Sequence, residues 1–265
     1  MIGRGGVRRL VQITDMHIGE TREHRLAGIC TYDSFSKVLA DISSRRDYAD
    51  MMMVTGDVAA KGKHSAYRLF SEQAQFFEIP YAWLPGNHDD FAVMQSGFIS
   101  SPYWPLLELS SWRVLSLNTA IPGQVGGRLV DDELMFLEQS LRAEPDSPFV
   151  IFMHHPPMPV GCDWLDKQRI ANADDFEGII RAAGNVKALF TGHVHQEFSA
   201  KWAECDVYTT PSTCFQFASE SADFAMSDGM PGYRWIDLHP DGQLTTGVRY
   251  LSGIEHKVDH AMAGY

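Results

Sequence analysis

Cysteine is sparse in this chain and positive charge is in short supply. The four cysteines, Cys30, Cys162, Cys205 and Cys214, lie far apart with no CxxC pair. A disulfide framework or a cysteine-based zinc site needs closer, paired spacing, so all four are expected to be reduced. Lysine and arginine total 22 against 34 acidic residues, giving a formal net charge of −12. Such a surface repels nucleic-acid backbones and anionic membranes, so neither is expected as a partner. There is no apolar run of bilayer-spanning length, and the start MIGRGGVRRLVQIT lacks the apolar stretch of a signal peptide. The expected location is therefore the cytoplasm. Internal repeats, low-complexity tracts and evident linkers are also missing.

What is present is ordinary globular material, 45% hydrophobic and 11% aromatic over 265 residues. That is enough for a sizeable core in one layered α/β domain. Short apolar runs at 9–14, 51–55, 81–84, 113–118, 149–153 and 187–191 read as strands. Stretches at 34–46, 65–77, 131–143 and 174–183 read as helices, with Asp33 and Asp131 as expected N-caps. The alternation argues for strands buried between helices. After Gln196 the runs 207–210, 233–238 and 245–251 follow one another without helices, which suggests a second, largely antiparallel sheet. Residues 1–251 are expected to form one domain. The tail 252–265 has little apolar pattern and is expected to be loosely held.

Five strand-like runs end alike. LVQIT leads into Asp15-Met16-His17, and MMMVT into Gly56-Asp57. YAWLP leads into Gly86-Asn87-His88-Asp89, FVIFM into His154-His155-Pro156-Pro157, and KALFT into Gly192-His193-Val194-His195. Each delivers oxygen or imidazole donors just past a strand's carboxyl end, the edge where open α/β sheets bind ligands. In extended backbone, positions i and i+2 point the same way, so Asp15 and His17 can share a metal, as can His193 and His195. The glycines before these donors suit sharp turns or close backbone approach. Seven candidates result: Asp15, His17, Asp57, Asn87, His154, His193 and His195. One bridging aspartate and three further ligands to each of two ions would use all seven. Mixed carboxylate, amide and imidazole donors suit Mn, Fe or Zn better than Ca or Mg alone. Singly, each block is an ordinary turn or cap. Five in order, each after a strand, are not a coincidence.

At these residues the chain resembles the calcineurin-like metallophosphoesterase superfamily, whose pattern is DxH, GD, GNHD/E, H and GHxH, over roughly residues 7–251. Within it the chain is most similar to bacterial class III 3′,5′-cyclic AMP phosphodiesterases, through HHPP with GCDWLD (161–166), TPSTCFQF (210–217) and PGYRWIDLHPDG (231–242). The resemblance implies a four-layer α/β/β/α sandwich of two mixed sheets flanked by helices. It implies Asp15, His17, Asp57 and His195 on one metal, and Asp57, Asn87, His154 and His193 on the other, with Fe or Mn as the expected ions and Zn also fitting. It implies His88 and Asp57 as catalytic residues and Asn87, His88 and His195 as substrate contacts. It implies hydrolysis of 3′,5′-cyclic AMP to the 5′-monophosphate by in-line attack of a metal-bridging hydroxide, and a homodimer. One departure is Cys30-Thr31, where many relatives carry Asn-Thr.

Other residues weigh less. His24, His64, His239, His256 and His260 lie outside any ligand pattern and are expected at the surface. His155 is either turned away from the metals or supports them. Asp89 and Asp90 read as helix-start carboxylates, with Asp89 able to orient His88. Met51–Met53 read as core filler. Residues 162–164 and 210–217 either line a base pocket or pack the sheet. The rival enzymatic reading is a broader phosphodiesterase acting on glycerophosphodiesters or 2′,3′-cyclic nucleotides. A protein phosphatase would want a docking segment, and a scaffold that lost its chemistry would lack some ligand, whereas this chain lacks none.

Overall fold

A computed structural model describes residues 6–45, 49–78, 80–98, 103–262 and 264. In chain order the elements begin β1 (Arg8–Ile13), β2 (Arg25–Leu26), β3 (Ile29–Cys30), α1 (Thr31–Ser43), β4 (Met51–Thr55), α2 (His64–Phe76), β5 (Tyr81–Leu84) and α3 (Phe91–Gly97). Next come β6 (Leu106–Leu109), β7 (Trp112–Leu117), α4 (Asp131–Ala143), β8 (Phe149–Met153), α5 (Asp163–Asp166), α6 (Ala173–Ala183) and β9 (Val186–Thr191). The last strands are β10 (Phe198–Trp202), β11 (Cys205–Thr209), β12 (Gln216–Phe217), β13 (Met226–Ser227), β14 (Gly232–Leu238) and β15 (Leu244–Tyr250).

Two mixed sheets form, in the orders β15-β14-β1-β4-β5 and β10-β11-β9-β8-β7-β6. Their central strands pair in parallel, β1 with β4 and β4 with β5 in one sheet, β7 with β8 and β8 with β9 in the other. Strand alternation assigns each apolar side chain to a layer. Along β1, Leu10 enters the core between the sheets while Val11 and Ile13 face α1 and α2. Along β8, Val150 and Phe152 enter that same central core while Phe149, Ile151 and Met153 face α4 and α6. Strands buried on both faces explain why these runs are continuously apolar. The result is the four-layer α/β/β/α sandwich that the family resemblance implies.

Several sequence expectations are corrected here. The strands after Gln196 do not build a separate antiparallel sheet. β14 and β15 extend the first sheet beside β1, while β11 joins β9 in parallel and β10 forms the second sheet's edge. Helix α1 is capped by Cys30 and α4 by Val130. Asp131 is the first helical residue and Asp33 the third, both in first turns where negative charge complements the helix dipole. Arg46, the expected end of the first helix, lies outside the described residues. The tail is not loose where it is described: Val258 is buried, Met262 packs beside it, and Asp259 N donates to Ala27 O (2.9 Å). Of the outlying histidines, His64 and His260 are exposed, and His24, His239 and His256 are half-buried. All four cysteines are free thiols. Among the described residues no helix is long and apolar enough to cross a membrane.

Candidate metal centre

The parallel pairing of β1 and β4 runs on past the strand ends. Asp15 N donates to Gly56 O (3.1 Å), His17 N to Asp57 O (2.9 Å) and Ile18 N to Val58 O (2.8 Å). Two loops are thereby zipped together, with three donor side chains between them. The second sheet brings the rest: His154 follows β8, and His193 and His195 follow β9. His193 N donates to both carboxylate oxygens of Asp15 (3.3 and 3.0 Å), which ties the two sheets together at their carboxyl edges.

The backbone reason for this convergence differs from the one expected. Asp15, His17, Asp57, His193 and His195 all have positive φ, at 55°, 47°, 48°, 68° and 47°. The side chains meet because the chain kinks into the left-handed region at each of them, not because extended strands continue. Such a conformation is uncommon for residues other than glycine, costs of order 1–3 kcal/mol each, and clusters at functional sites. Met16 and Val194, between the paired donors in sequence, are fully buried. Gly192 answers a need for close approach, since a Cβ there would stand 2.1 Å from Thr14 Oγ1.

Asp57 stands at the middle of the cluster. Its Oδ2 is 3.3 Å from His154 Nε2 and 3.9 Å from His17 Nε2. On one side, His195 Nε2 lies 3.4 Å from Asp15 Oδ1 and 3.2 Å from His17 Nε2. On the other, Asn87 Oδ1 lies 3.2 Å from His154 Nε2 and 3.1 Å from His193 Nδ1. The structure thus brings all seven candidates together, as two triads flanking one carboxylate.

These residues fit a pair of divalent cations. His154 Nδ1 donates to Thr55 O and His195 Nδ1 to Phe215 O, both at 2.8 Å. Each ring is thereby fixed with its Nε2 facing the carboxylates, the support that metal-bound histidines ordinarily receive. Two buried carboxylates, an amide oxygen and four imidazoles form a mixed oxygen and nitrogen set suited to first-row divalent ions. Charge is unbalanced without them. Burial pushes the His154 imidazole down, but the Asp57 and Asp15 carboxylates outweigh it and raise it to about 9. Burial pushes Asp57 up, yet His154 and His88 overcome this and hold it well below the usual range. Burial holds His17 and His193 well below an ordinary histidine, so both present neutral nitrogens.

The neighbouring residues sort themselves. His88 N donates to Asp57 Oδ1 (2.9 Å), its Nδ1 lies 3.2 Å from Ala60 O, and the half-buried ring borders the open cleft over the cluster. Asp89 does not start a helix. Its residue surface is partly exposed, but its carboxyl is ringed by Val58 N (3.2 Å), Ala59 N (3.0 Å), Gly86 N (2.9 Å) and Tyr67 Oη (3.0 Å). Burial and then Asp57 raise it to about 6. Asp90 is the helix cap, accepting from Val93 N (3.1 Å). Both ring nitrogens of His155 are engaged, Nε2 with Val125 O (3.0 Å) and Nδ1 with Thr119 Oγ1 (2.8 Å), and burial lowers the ring to about 3. Its ring centroid lies 4.6 Å from that of His193. Cys30 stands apart, its Sγ on Arg22 O (3.1 Å).

Sequence reasoning about donors passed over the groups behind them. Thr55 and Phe215 act through backbone carbonyls, and Ser212 Oγ donates to Asp15 O (2.7 Å). A carbonyl carries no side-chain signature. The only signal was the stretch TPSTCFQF, singled out by resemblance.

The model of the calcineurin-like phosphoesterase family matches residues 8–197, a span containing every donor named above. The chain is 34% identical over 260 residues to 3′,5′-cyclic adenosine monophosphate phosphodiesterase CpdA of Escherichia coli K12, covering 97% of this chain and 94% of that protein. It is 32% identical over 243 residues to a 3′,5′-cyclic-nucleotide phosphodiesterase of Nostoc, covering 90% and 91%. Among solved structures, a dimetal phosphatase from Danio rerio superposes with a TM-score of 0.63 at 13% identity, covering 87% of this chain and 95% of that one. That likeness speaks for the fold alone. With the family's pattern matched across most of its length and a third of its residues shared with such relatives, the chain belongs to the calcineurin-like phosphoesterase family.

Proposed function

We propose that this protein is a dinuclear-metal phosphodiesterase that hydrolyses 3′,5′-cyclic AMP to 5′-AMP. The observation that carries the reading is Asp57 set between two donor triads, Asp15-His17-His195 and Asn87-His154-His193. The near-full-length likeness to proteins named as cyclic AMP phosphodiesterases supports the substrate. Two divalent cations held there supply neutralising charge for phosphoryl oxygens and lower the pKa of water.

The chain's own residues supply the rest. Asp57, held well below the usual carboxylate range, keeps negative charge in a buried site, where it favours doubly charged cations over protons. Asn87 lines the cleft with its Oδ1 beside His154 and His193, which supports it as a second substrate contact. His88 borders the cleft with its ring anchored on Ala60 O, which supports a role as the group that protonates the departing 3′ oxygen. His195 is the third substrate contact. In the cell we take the ions to be Fe or Mn, the location to be the cytoplasm and the assembly a homodimer. Metal analysis and sedimentation of the native protein test the first and last of these.

The deciding assay is hydrolysis of 3′,5′-cyclic AMP by Mn-reconstituted protein beside a glycerophosphodiester, a 2′,3′-cyclic nucleotide and an aryl phosphodiester. Turnover of cyclic AMP abolished by chelator and by Asp57→Ala is the expected result. Rapid cleavage of the others with only marginal cyclic AMP turnover would overturn the substrate assignment and leave the metal centre standing.

A further inference from the structure

The GCDWLD stretch takes no part in the centre described above, yet the structure brings it to the same cleft. Trp164, on the short helix α5, meets Phe217 edge to face at 4.9 Å between centroids and Phe224 at 5.2 Å. Phe217 and Phe224 meet at 5.6 Å. This wall is continuous with the metal centre, because Phe217 stacks on the ring of His195 at 4.2 Å and 21°. All three aromatics line the cleft that Asn87, His88 and His193 border at its other end.

The wall is held rigid from behind. Asp163 N donates to Ser221 O (3.1 Å), and the Asp166 carboxylate accepts from Val160 N (2.7 Å) and Gly161 N (3.2 Å). At its rim stands Gln168, half-buried, whose side-chain amide makes no hydrogen bond to another described residue. None of the described residues lining this cleft is a lysine or arginine. A second anionic group would find no partner here, and a small polar alcohol would waste the aromatic surface. A flat heteroaromatic ring with donors and acceptors on its edge matches both features, since bases stack on aromatic side chains and glutamine pairs with adenine's edge.

We propose that Trp164, Phe217 and Phe224, with the amide of Gln168, form a nucleobase subsite that stacks a purine joined to the phosphate at the metal centre. The inference rests on the phosphodiesterase reading and adds to it the residues that select the substrate's base.

Calorimetric titration of the Mn-reconstituted chain with 5′-AMP, ribose 5-phosphate and inorganic phosphate tests it. Wild type should bind AMP about tenfold or more tighter than ribose 5-phosphate, the size of one base–aromatic stack. Trp164→Ala should erase most of that preference, Trp164→Phe should keep part of it, and Gln168→Leu should cut it several-fold. Affinity for inorganic phosphate should stay unchanged in all three. Equal binding of AMP and ribose 5-phosphate by wild type overturns the subsite, and so does a loss in Trp164→Ala shared equally by inorganic phosphate. The two readings fail separately: no cyclic AMP turnover by wild type defeats the function, whereas turnover without base preference defeats only the subsite.

Discussion

Adding one methyl group at Gly86 should dismantle the metal centre while leaving the fold intact. A Cβ on Gly86 would stand 2.2 Å from Asp57 Oδ1, 2.4 Å from Asp57 N and 2.8 Å from Asp57 Cγ. Two of the three obstacles belong to the carboxylate at the middle of the cluster, and the third is its backbone, so no flexible side-chain end can swing aside. Gly86 cannot retreat either, because its N–H donates to Asp89 Oδ2 at 2.9 Å. Relief to ordinary contact requires a displacement of about 1 Å, and misplacement on that scale costs roughly 10²-fold in rate. The overpacking itself costs about 1–3 kcal/mol, which a domain of this size survives. Gly86→Ala should therefore lose bound metal and about 100-fold in kcat on cyclic AMP, while still unfolding cooperatively in denaturant. Gly178→Ala is the control, since it sits exposed in α6 with nothing within 4 Å of a new Cβ. That change should stabilise by about 0.5–1 kcal/mol and leave kcat alone. Metal content by mass spectrometry beside steady-state kinetics reads both. Two ions per chain and a kcat within about threefold of wild type in Gly86→Ala would refute the claim that this close approach sets the carboxylate's position.

Three further outcomes follow from the same geometry. Asp89→Ala strips the carboxyl that accepts from three backbone N–H groups and Tyr67 Oη, so it should cost about 3 kcal/mol in denaturant unfolding; a loss below about 1 kcal/mol would mean that water replaces those bonds. Gln12→Leu breaks a buried relay in which Gln12 Nε2 donates to Thr55 Oγ1 (2.9 Å) and Thr191 O (3.2 Å), and Thr210 Oγ1 donates to Gln12 Oε1 (2.6 Å). It should cost about 2–3 kcal/mol and weaken metal affinity through Thr55, the residue that orients His154. Unaltered metal affinity would separate the relay from the site. Asp41 is pushed up by burial but held below its ordinary range overall by hydrogen bonds from Arg45 and Tyr233. A carboxyl whose folded pKa is depressed contributes stability that is present above its unfolded pKa of about 3.9 and lost as pH falls through the lower folded value. Asp41→Asn should thus cost roughly 1 kcal/mol at pH 7, after allowing for solvent screening, and almost nothing near pH 2. A cost independent of pH would place the effect in packing.

The donors were legible in the sequence because chemistry and punctuation coincide there. A buried strand in the central part of either sheet is mostly apolar until it ends, so Asp15, Asp57, His154 and His193 announce themselves by position as well as by type. Strand existence was legible for the same reason, since 51–55, 81–84 and 149–153 are apolar on both faces. Sheet membership was not. An alternating run such as 233–238 states that its two faces differ in burial, but its partner is decided by pairing β14 with β1, more than two hundred residues away in sequence. Nothing local separates that outcome from a third layer. The N-caps failed for a related reason: Asp33 and Asp131 are good caps by propensity, but residues just ahead of them, Cys30 and Val130, are already fixed by β3 and by the loop leading from Leu129.

The positive-φ kinks mark the deepest limit of the sequence reading, and they also indicate how the site works. Five donors adopt a left-handed backbone conformation that is uncommon outside glycine, although Asp and His enter it more readily than most residues, and no strand pattern announces it. The strain persists because the surroundings leave no alternative. Asp15 and His17 are zipped to Gly56 and Asp57 by backbone hydrogen bonds, Ser212 holds the Asp15 carbonyl, and Asp89 clamps the 58–59 and 86 loops from beneath. A relaxed, extended chain at these positions would carry the backbone straight on past the sheet edge. The kinks instead fold five of them inward over one small volume. Much of the organisation for holding two cations therefore comes from the protein's own hydrogen bonds, several of them from residues such as Ser212 and Asp89 that are not candidate ligands. That is why Asp89 and Gln12 should matter to metal affinity although neither carries a donor to it.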